Sequence, residues 1–277
     1  MKESQPPVRI IHHWACSGGT VISRLIASLP RLVLFSEIHP YAFLRHSDPA
    51  TSYAPTDIIR HLSGLSGRRD ISLCATAFEG AILAIHRELA LRGESLVLRS
   101  HSHVDFFLGA VSASRPAISS LLAKHLPLLE LITVRHPLDS WLSLESNNWS
   151  EHFRFSSFNE YCRRCLLMLN ACLNMPIVKY EEFCLDPGAK LAEICHHLRL
   201  DYDPDVLHMP HSILLTGGSG RGGEQIAPRA RRNVATELAE ELSESMLYLE
   251  LCERLSYNTD PAAPYPYSVI SERRDEL

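Results

Sequence analysis

The fold of this chain is decided by a strand-like segment that runs into a glycine turn, Val8-Arg9-Ile10-Ile11-His12-His13-Trp14-Ala15-Cys16-Ser17-Gly18-Gly19-Thr20. The first six of these residues predict a strand, and the spacing of the apolar residues in Val21–Leu29 predicts a helix. A strand, a glycine turn and a helix start form a phosphate cradle, because backbone N–H groups at a helix N-terminus point at the anion. A plain turn between a strand and a helix explains the same residues equally well.

A second candidate anion site follows the apolar run Leu128–Val134, which predicts a buried strand. The next residues are Arg135-His136-Pro137-Leu138-Asp139-Ser140-Trp141-Leu142-Ser143. Arg135 at the strand end supplies a positive charge with paired donors, and Ser143, one to two helical turns later, supplies a hydroxyl. These groups suit a phosphate, so the two turns are expected to face one ligand.

Short apolar strands alternate with helical segments along the whole chain. Strands are predicted at Val8–His13, Leu32–Ser36, Ser95–Arg99, Leu129–Val134 and Pro176–Tyr180. Helices are predicted at Gly19–Leu29, Thr56–Leu65, Leu73–Arg92, Leu138–Ser146, Ser157–Asn174, Gly188–Leu198 and Asn233–Leu255. This alternation predicts an α/β fold of three layers, α/β/α, with a central parallel sheet covered on both faces. Ligands bind at the carboxyl ends of such strands, where the predictions place Ser17, Glu37, Arg99, His101 and Arg135.

Taken together, these segments resemble the family of sulfotransferases whose donor is 3′-phosphoadenosine 5′-phosphosulfate (PAPS). Four matches occur in the family's order, between about residues 8 and 232: Ser17-Gly18-Gly19-Thr20, Arg135 to Ser143, Lys179-Tyr180-Glu181-Glu182-Phe183 and Gly220-Arg221-Gly222-Gly223. The resemblance implies a P-loop NTPase-like sulfotransferase fold, PAPS as the donor and 3′,5′-adenosine bisphosphate as the product. It also implies that no metal is needed.

The resemblance assigns a role to each matched segment. The loop Cys16-Ser17-Gly18-Gly19-Thr20 is expected to bind the 5′-phosphosulfate. Arg135 and Ser143 are expected to bind the 3′-phosphate, and Tyr180 is expected to lie near the adenine. The late glycine segment, with Arg221 and Gly222, is expected to close over the 3′-phosphate.

Two departures from the family pattern bear on the chemistry. The family carries a lysine or arginine directly before Ser-Gly, where it meets the bridging oxygen of the donor, and this chain has Cys16. A substitute cation is expected among Arg99, His12, His13 and Arg24. The late segment lacks its second basic residue, and phosphate contact is expected instead from at least one of Arg229, Arg231 and Arg232. A solvated basic surface is the alternative for these three.

Two residues compete for the role of general base, which must remove the proton of the acceptor. Leu98-Arg99-Ser100-His101 resembles the Lys-Thr-His segment of cytosolic sulfotransferases, so that His101 would be the base and Arg99 would help to stabilise the transferred group. Glu37 lies where tyrosylprotein-type and several bacterial sulfotransferases carry a base glutamate. The sequence favours His101 over Glu37, and His39 and His103 are nearby histidines that compete with it.

Composition limits the remaining possibilities. The 277 residues, 45% hydrophobic and 21% charged, suit one globular domain over residues 1–277, with a flexible N-terminus at 1–7 and a proline-rich surface tail at 256–277. The net charge of −5 argues against nucleic acid as a partner. No membrane span or signal peptide is expected. The eight cysteines are expected to be reduced, mostly buried side chains, which predicts a cytoplasmic location. The acceptor is expected to be a small molecule or a peptide.

The same residues leave two alternative functions open. A nucleotide-dependent phosphotransferase of this fold needs a lysine before the loop Ser/Thr, and Gly19 stands there; it also needs a magnesium-binding aspartate after a strand. A non-catalytic nucleotide-binding relative is the other alternative, and Cys16 in place of a basic residue is the feature that favours it.

Overall fold

The computed structural model describes residues 5–42, 71–108, 116–149, 153, 155, 157–208, 215, 226–227 and 229–266. The predicted helix Thr56–Leu65 and the site residues Arg221 and Gly222 lie outside these ranges.

The centre of the molecule is a parallel sheet. Its strands are β1 (Val8–His13), β2 (Leu32–Ile38), β3 (Ser95–Ser100), β4 (Leu128–Val134) and β5 (Ile177–Lys179). They lie in the order β2-β3-β1-β4-β5, and each neighbouring pair is parallel. All five predicted strands are therefore present, with ends displaced by two residues or fewer. The inner strand β1 is buried along its whole length, and its polar residues Arg9, His12 and His13 are buried with it.

Helices cover both faces of the sheet. The helices that precede β4 are α1 (Gly19–Ala27), α2 (Ile71–Leu91), α3 (His103–Phe106) and α4 (Ala117–Leu122). Those that follow it are α5 (Pro137–Ser146), α6 (Phe158–Ala171), α7 (Tyr180–Leu185), α8 (Pro187–Leu198), α9 (Thr236–Glu244) and α10 (Met246–Arg254), with a 3₁₀ turn at Pro204–His208. The α/β fold predicted from the sequence is confirmed.

Alternating residues of β1 point into the two layers of the core. Ile11 packs with α1 and α8 through residues such as Leu25 and Leu198. Its neighbour Ile10 packs on the other face with α2 and α4 through residues such as Phe78 and Ile118. A third, aromatic cluster lies beyond the carboxyl ends of the strands and includes Trp14, Phe106, Trp141, Tyr161 and Tyr248. The edge that carries the predicted site is thus built on a rigid support.

The prediction of one helix over Asn233–Leu255 is wrong. The structure has two helices, α9 and α10, which meet at Ser245 in an extended conformation with φ −79° and ψ 99°. The Ser245 hydroxyl accepts a hydrogen bond of 3.1 Å from the backbone N–H of Tyr248 and donates to the side chain of Asn159. Ser245 thus ends one helix and caps the start of the next. The spacing of the apolar residues continues across this break, so it does not reveal that the helix is interrupted.

None of the eight cysteines forms a disulfide, and seven of them are buried, with Cys16 as the half-buried one. The described part of the predicted tail makes core contacts, since Tyr257 and Ala263 are buried. Among the described residues, no helix combines the length and the hydropathy that crossing a membrane requires.

Candidate active site

The carboxyl ends of β1, β3 and β4 lie side by side, because β1 pairs with both of the others. The turn after β1, the residues after β3 and the residues after β4 therefore meet at one edge of the sheet. Strand β2 adds Glu37 to the same edge through its pairing with β3. The structure thus brings Ser17, Glu37, Arg99, His101 and Arg135 to the edge at which the sequence places them.

The glycine turn has the geometry that only glycine tolerates. Gly18 has φ 79° and forms the N-cap of α1, and its carbonyl accepts the backbone N–H groups of Val21 and Ile22. A Cβ on Gly18 would lie 2.0 Å from the ring of Tyr180, and a Cβ on Gly19 would lie 2.9 Å from the ring of His13. Both glycines are therefore required by close contacts, and the first N–H groups of α1 stay available to an anion.

The turn is tied to the neighbouring strand β4. The hydroxyl of Ser17 shares a hydrogen bond of 3.1 Å with the hydroxyl of Thr133, and both residues are buried. Ser17 thus holds the turn in place, and this contact is independent of any ligand.

Arg135 meets this turn directly. Its Nη1 lies 3.5 Å from the carbonyl oxygen of Cys16, and its guanidinium carbon lies 5.2 Å from the centre of the Tyr180 ring. Since Tyr180 also packs on Gly18, the early turn, the mid-chain arginine and the tyrosine of the third match form one cluster. Burial alone would lower the pKa of Arg135, but the nearby carboxylates of Asp139 and Glu181 outweigh it and raise the pKa. Arg135 is therefore a cation at any pH of interest.

A second arginine stands at the other end of the turn. Arg99 is 2% exposed; its Nη2 donates to the Thr20 hydroxyl at 3.0 Å and lies 3.3 Å from a carboxylate oxygen of Glu37. Its Nη1 donates to the Ser36 hydroxyl at 3.1 Å. Burial lowers the pKa of Arg99 to about 10, so the guanidinium stays charged at neutral pH. Arg99 is thus the cation that the structure places at the glycine turn, where Cys16 supplies none.

The other three residues proposed to supply the missing positive charge differ in position and in charge. His12 is buried below the edge, where its Nε2 lies 3.2 Å from both Glu130 and Ser119. Burial and the charge of Arg99 hold the pKa of His13 well below its usual range, so this imidazole is neutral. Arg24 lies close enough to lower the pKa of Arg99, and its Nε has no hydrogen-bond partner within the described part of the chain. Arg24 is therefore the second cation available at the turn.

The two candidate bases occupy adjacent strand ends. The backbone N–H of His101 donates to the carbonyl oxygen of Ile38 at 3.0 Å. Ile38 is the last residue of β2 and directly follows Glu37, so the two candidate bases lie near each other. Glu37 has a left-handed φ of 55°, and its carboxylate pairs with Arg99. The ring of His101 lies edge-on to the ring of His103 at 5.0 Å between centres, and His103 contacts His13 in the same way at 5.1 Å. The site thus contains a row of three imidazoles that starts at His101.

His39, a competing histidine, accepts a hydrogen bond at one ring nitrogen and lies close to a carboxylate with the other. Its Nδ1 accepts the backbone N–H of Tyr41 at 3.0 Å, and its Nε2 lies 3.1 Å from a carboxylate oxygen of Asp105. Because Nδ1 is the acceptor, the neutral ring carries its proton on Nε2, which lies close to the Asp105 carboxylate without meeting the geometry of a hydrogen bond. With its acceptor nitrogen engaged, His39 is less suited to the role of base than His101.

The remaining predicted residues lie close to this cluster or outside the described ranges. Ser143 is buried on α5, two turns after Arg135, and its carbonyl accepts the side-chain amide of Asn147 at 2.8 Å. Arg231 binds Asp139 through two nitrogens at 2.9 and 3.0 Å, so it supports α5. Arg229 is exposed, and its charge acts on Tyr180.

One residue of the site was assigned no role from the sequence. Glu181 is 1% exposed, and its carboxylate accepts the backbone N–H of His136 at 2.9 Å and the hydroxyl of Tyr257 at 2.6 Å. The pattern that points to its burial is local, because Glu181 lies three residues before the apolar Cys184 and so shares its helix face. Its partners are distant in sequence and have no local pattern.

Two solved structures have the same fold. One is the sulfotransferase domain of the olefin synthase from Synechococcus PCC 7002, with a TM-score of 0.56 and 19% identity over 93% of this chain and 98% of that one. The other is a sulfotransferase domain from the curacin biosynthetic pathway, with a TM-score of 0.51 and 16% identity over 92% of this chain and 99% of that one. No family model matches the chain, and no curated protein matches it. At these identities the likeness establishes the fold, which is that of a sulfotransferase domain.

Proposed function

We propose that this protein transfers the sulfonyl group of PAPS to a hydroxyl or amine of a small-molecule or peptide acceptor. The observation that supports this most directly is the cluster of Arg135, Tyr180 and the glycine turn. Arg135 contacts the carbonyl of Cys16 at 3.5 Å and the Tyr180 ring at 5.2 Å, and Tyr180 packs on Gly18. These are the elements expected to bind the 3′-phosphate, the adenine and the 5′-phosphosulfate.

The charges around the turn fit an anionic donor. Arg99 and Arg24 bring two guanidinium groups, and the carboxylate of Glu37 compensates one of them. Within the described ranges the Nε of Arg24 is a buried donor that has no hydrogen-bond partner, and an anion can satisfy it. In this proposal, residues 17–20 with Arg99 hold the 5′ end of the donor, and Arg135 with Ser143 holds the 3′-phosphate. Arg221, Gly222 and Arg229 complete that end.

The donor brings the sulfonyl group, and the protein supplies position, charge and a base. Arg99 is held by Thr20, Ser36 and Glu37, so its guanidinium is fixed before a ligand binds. A fixed positive charge stabilises negative charge that develops on the leaving phosphate. His101 takes the acceptor proton, because the Glu37 carboxylate is engaged with Arg99. Glu37 then orients Arg99 rather than acting as the base.

Nucleotide binding tests the proposal. The melting temperature of the full chain is expected to rise with 3′,5′-adenosine bisphosphate and to stay constant with ATP and Mg²⁺, since the turn lacks the lysine of a standard P-loop. An acceptor panel with PAPS then tests transfer. Stabilisation by ATP and Mg²⁺ alone would instead indicate a phosphotransferase, and tight bisphosphate binding without transfer to any acceptor would indicate a non-catalytic binding protein.

Arg135→Ala is expected to weaken binding of 3′,5′-adenosine bisphosphate about 10- to 150-fold, because a charged hydrogen bond of about 1.5–3 kcal/mol is lost. The affinity for 5′-AMP should stay constant, since this nucleotide lacks the 3′-phosphate. Isothermal titration calorimetry measures both. Arg163→Ala is the matched control, because Arg163 is an exposed arginine paired with Glu160 on α6. Equal losses for the two nucleotides would place Arg135 away from the 3′-phosphate.

A further inference from the structure

Glu181 is bonded to the backbone beside Arg135. One carboxylate oxygen accepts the N–H of His136 at 2.9 Å, and His136 is the N-cap of α5. This bond fixes the peptide that joins Arg135 to His136, and therefore the point from which the arginine side chain extends. It also satisfies a backbone donor at a buried helix start, where a donor without a partner is costly.

The second carboxylate oxygen and the backbone carbonyl of Glu181 are bonded to the C-terminal segment, defined here as residues 256–266. The Tyr257 hydroxyl donates to the second carboxylate oxygen at 2.6 Å, and the Tyr265 hydroxyl donates to the Glu181 carbonyl at 2.8 Å. Tyr257 is 1% exposed, and the ammonium of Lys179 lies 4.9 Å from the centre of its ring. The carboxylate thus joins two parts of the chain that are 76 residues apart.

The same segment contacts the start of α5 a second time. The Nε2 of His136 donates to the carbonyl of Asn258 at 3.0 Å. Arg231 links Asp139 to the segment, because its Nη1 donates to the carbonyl of Pro261 at 2.7 Å while its other nitrogens bind Asp139. Burial and the charge of Arg231 lower the pKa of His136 to about 3, so His136 is a neutral donor here. Residues 256–266 therefore contact the turn that carries Arg135 through His136, Arg231 and Glu181.

We propose that Glu181 is a positioning residue, which uses its bonds to His136 and Tyr257 to make the C-terminal segment part of the 3′-phosphate site. The inference rests on the proposed function, and it extends that function to a residue and a segment that do not touch the nucleotide. An arginine side chain has many rotamers, so selective binding of one phosphate requires a fixed backbone beneath it. Glu181 supplies that fixed backbone, and Tyr257 keeps the carboxylate in place.

The test uses the two nucleotides that differ only in the 3′-phosphate, 3′,5′-adenosine bisphosphate and 5′-AMP, and measures the ratio of their affinities by calorimetry on the full chain. Glu181→Ala is expected to lower this ratio about tenfold, because the peptide beside Arg135 is released. Tyr257→Phe keeps the carboxylate and removes one hydroxyl, so a fall of about threefold is expected. In an Arg135→Ala background neither change should alter the ratio.

Two control variants separate positioning from stability. Glu182→Ala removes the adjacent carboxylate, which pairs with Lys190 at 2.8 Å. Tyr248→Phe removes a buried hydroxyl that donates to the carbonyl of Thr259 at 3.0 Å, so it removes one contact of the same segment that does not involve Glu181. Both controls should leave the affinity ratio unchanged, even where the melting temperature falls.

The outcomes distinguish this inference from the proposed function. A constant ratio in Tyr257→Phe, or an undiminished effect in the Arg135→Ala background, overturns the inference while the proposed function stands. Should Glu181→Ala fail to fold, Tyr257→Phe decides alone. If the unaltered protein binds the two nucleotides equally, Arg135 does not recognise the 3′-phosphate, and the proposed function and the inference are both overturned.

Discussion

His101→Ala is expected to lower the rate of sulfonyl transfer about 100- to 10,000-fold, the usual contribution of a general base. Affinity for 3′,5′-adenosine bisphosphate should change little, because the proposed donor site does not include His101. His101 follows β3 directly and lies beside the end of β2, where it is bonded to Ile38 through its backbone. Single-turnover rates and calorimetry on the same preparation measure the two quantities separately.

The choice between His101 and Glu37 depends on a comparison of two variants. Glu37→Gln keeps the shape of the side chain and removes the charge that pairs with Arg99 at 3.3 Å, so a smaller loss of rate is expected. His196→Ala is the matched control, because His196 is an exposed histidine on α8. A near-total loss of rate in Glu37→Gln, together with an active His101→Ala, would make Glu37 the base.

The sheet and its site edge were predictable because local features determine them. Buried parallel strands are short and rich in apolar residues, as in Leu128–Val134, and His101 and Arg135 directly follow β3 and β4. In a parallel sheet, residues that follow different strands collect at one edge. This rule alone places Arg99 near the turn of β1, although 79 residues separate it from Thr20.

Other parts of the site depend on contacts that no local pattern reveals. Nothing near Glu181 indicates that Tyr257 and the backbone of His136 satisfy its carboxylate. The break at Ser245 was missed for a related reason, since the apolar spacing continues across it and only the serine cap and the contact with Asn159 end the helix. Burial of polar groups is decided by partners in space, and these partners come from distant segments.

The role proposed for Arg99 rests on the same geometry, and it leads to a second prediction with a large effect. Cys16 provides no charge at the position where the family carries a basic residue, and the structure places the guanidinium of Arg99 against the Thr20 hydroxyl of that turn. Arg99→Met is therefore expected to lower the transfer rate about 100- to 1000-fold, the effect of removing one fixed donor from a site of developing charge. Steady-state and single-turnover assays with PAPS measure this loss.

Removing Arg99 also leaves the Glu37 carboxylate without its guanidinium partner, which lowers stability as well as rate. The double variant Glu37→Gln, Arg99→Met separates these two effects. If Arg99 acts by its charge, the double variant recovers the melting temperature but not the transfer rate, because it still lacks the positive charge of Arg99. Arg99→Lys should recover part of the rate, since it restores charge without the paired donors. Arg92→Met, at an exposed arginine paired with Glu88, should leave both quantities unchanged. Full activity in the double variant would show that Arg99 only neutralises Glu37, and Arg24 would then be the cation that acts at the turn.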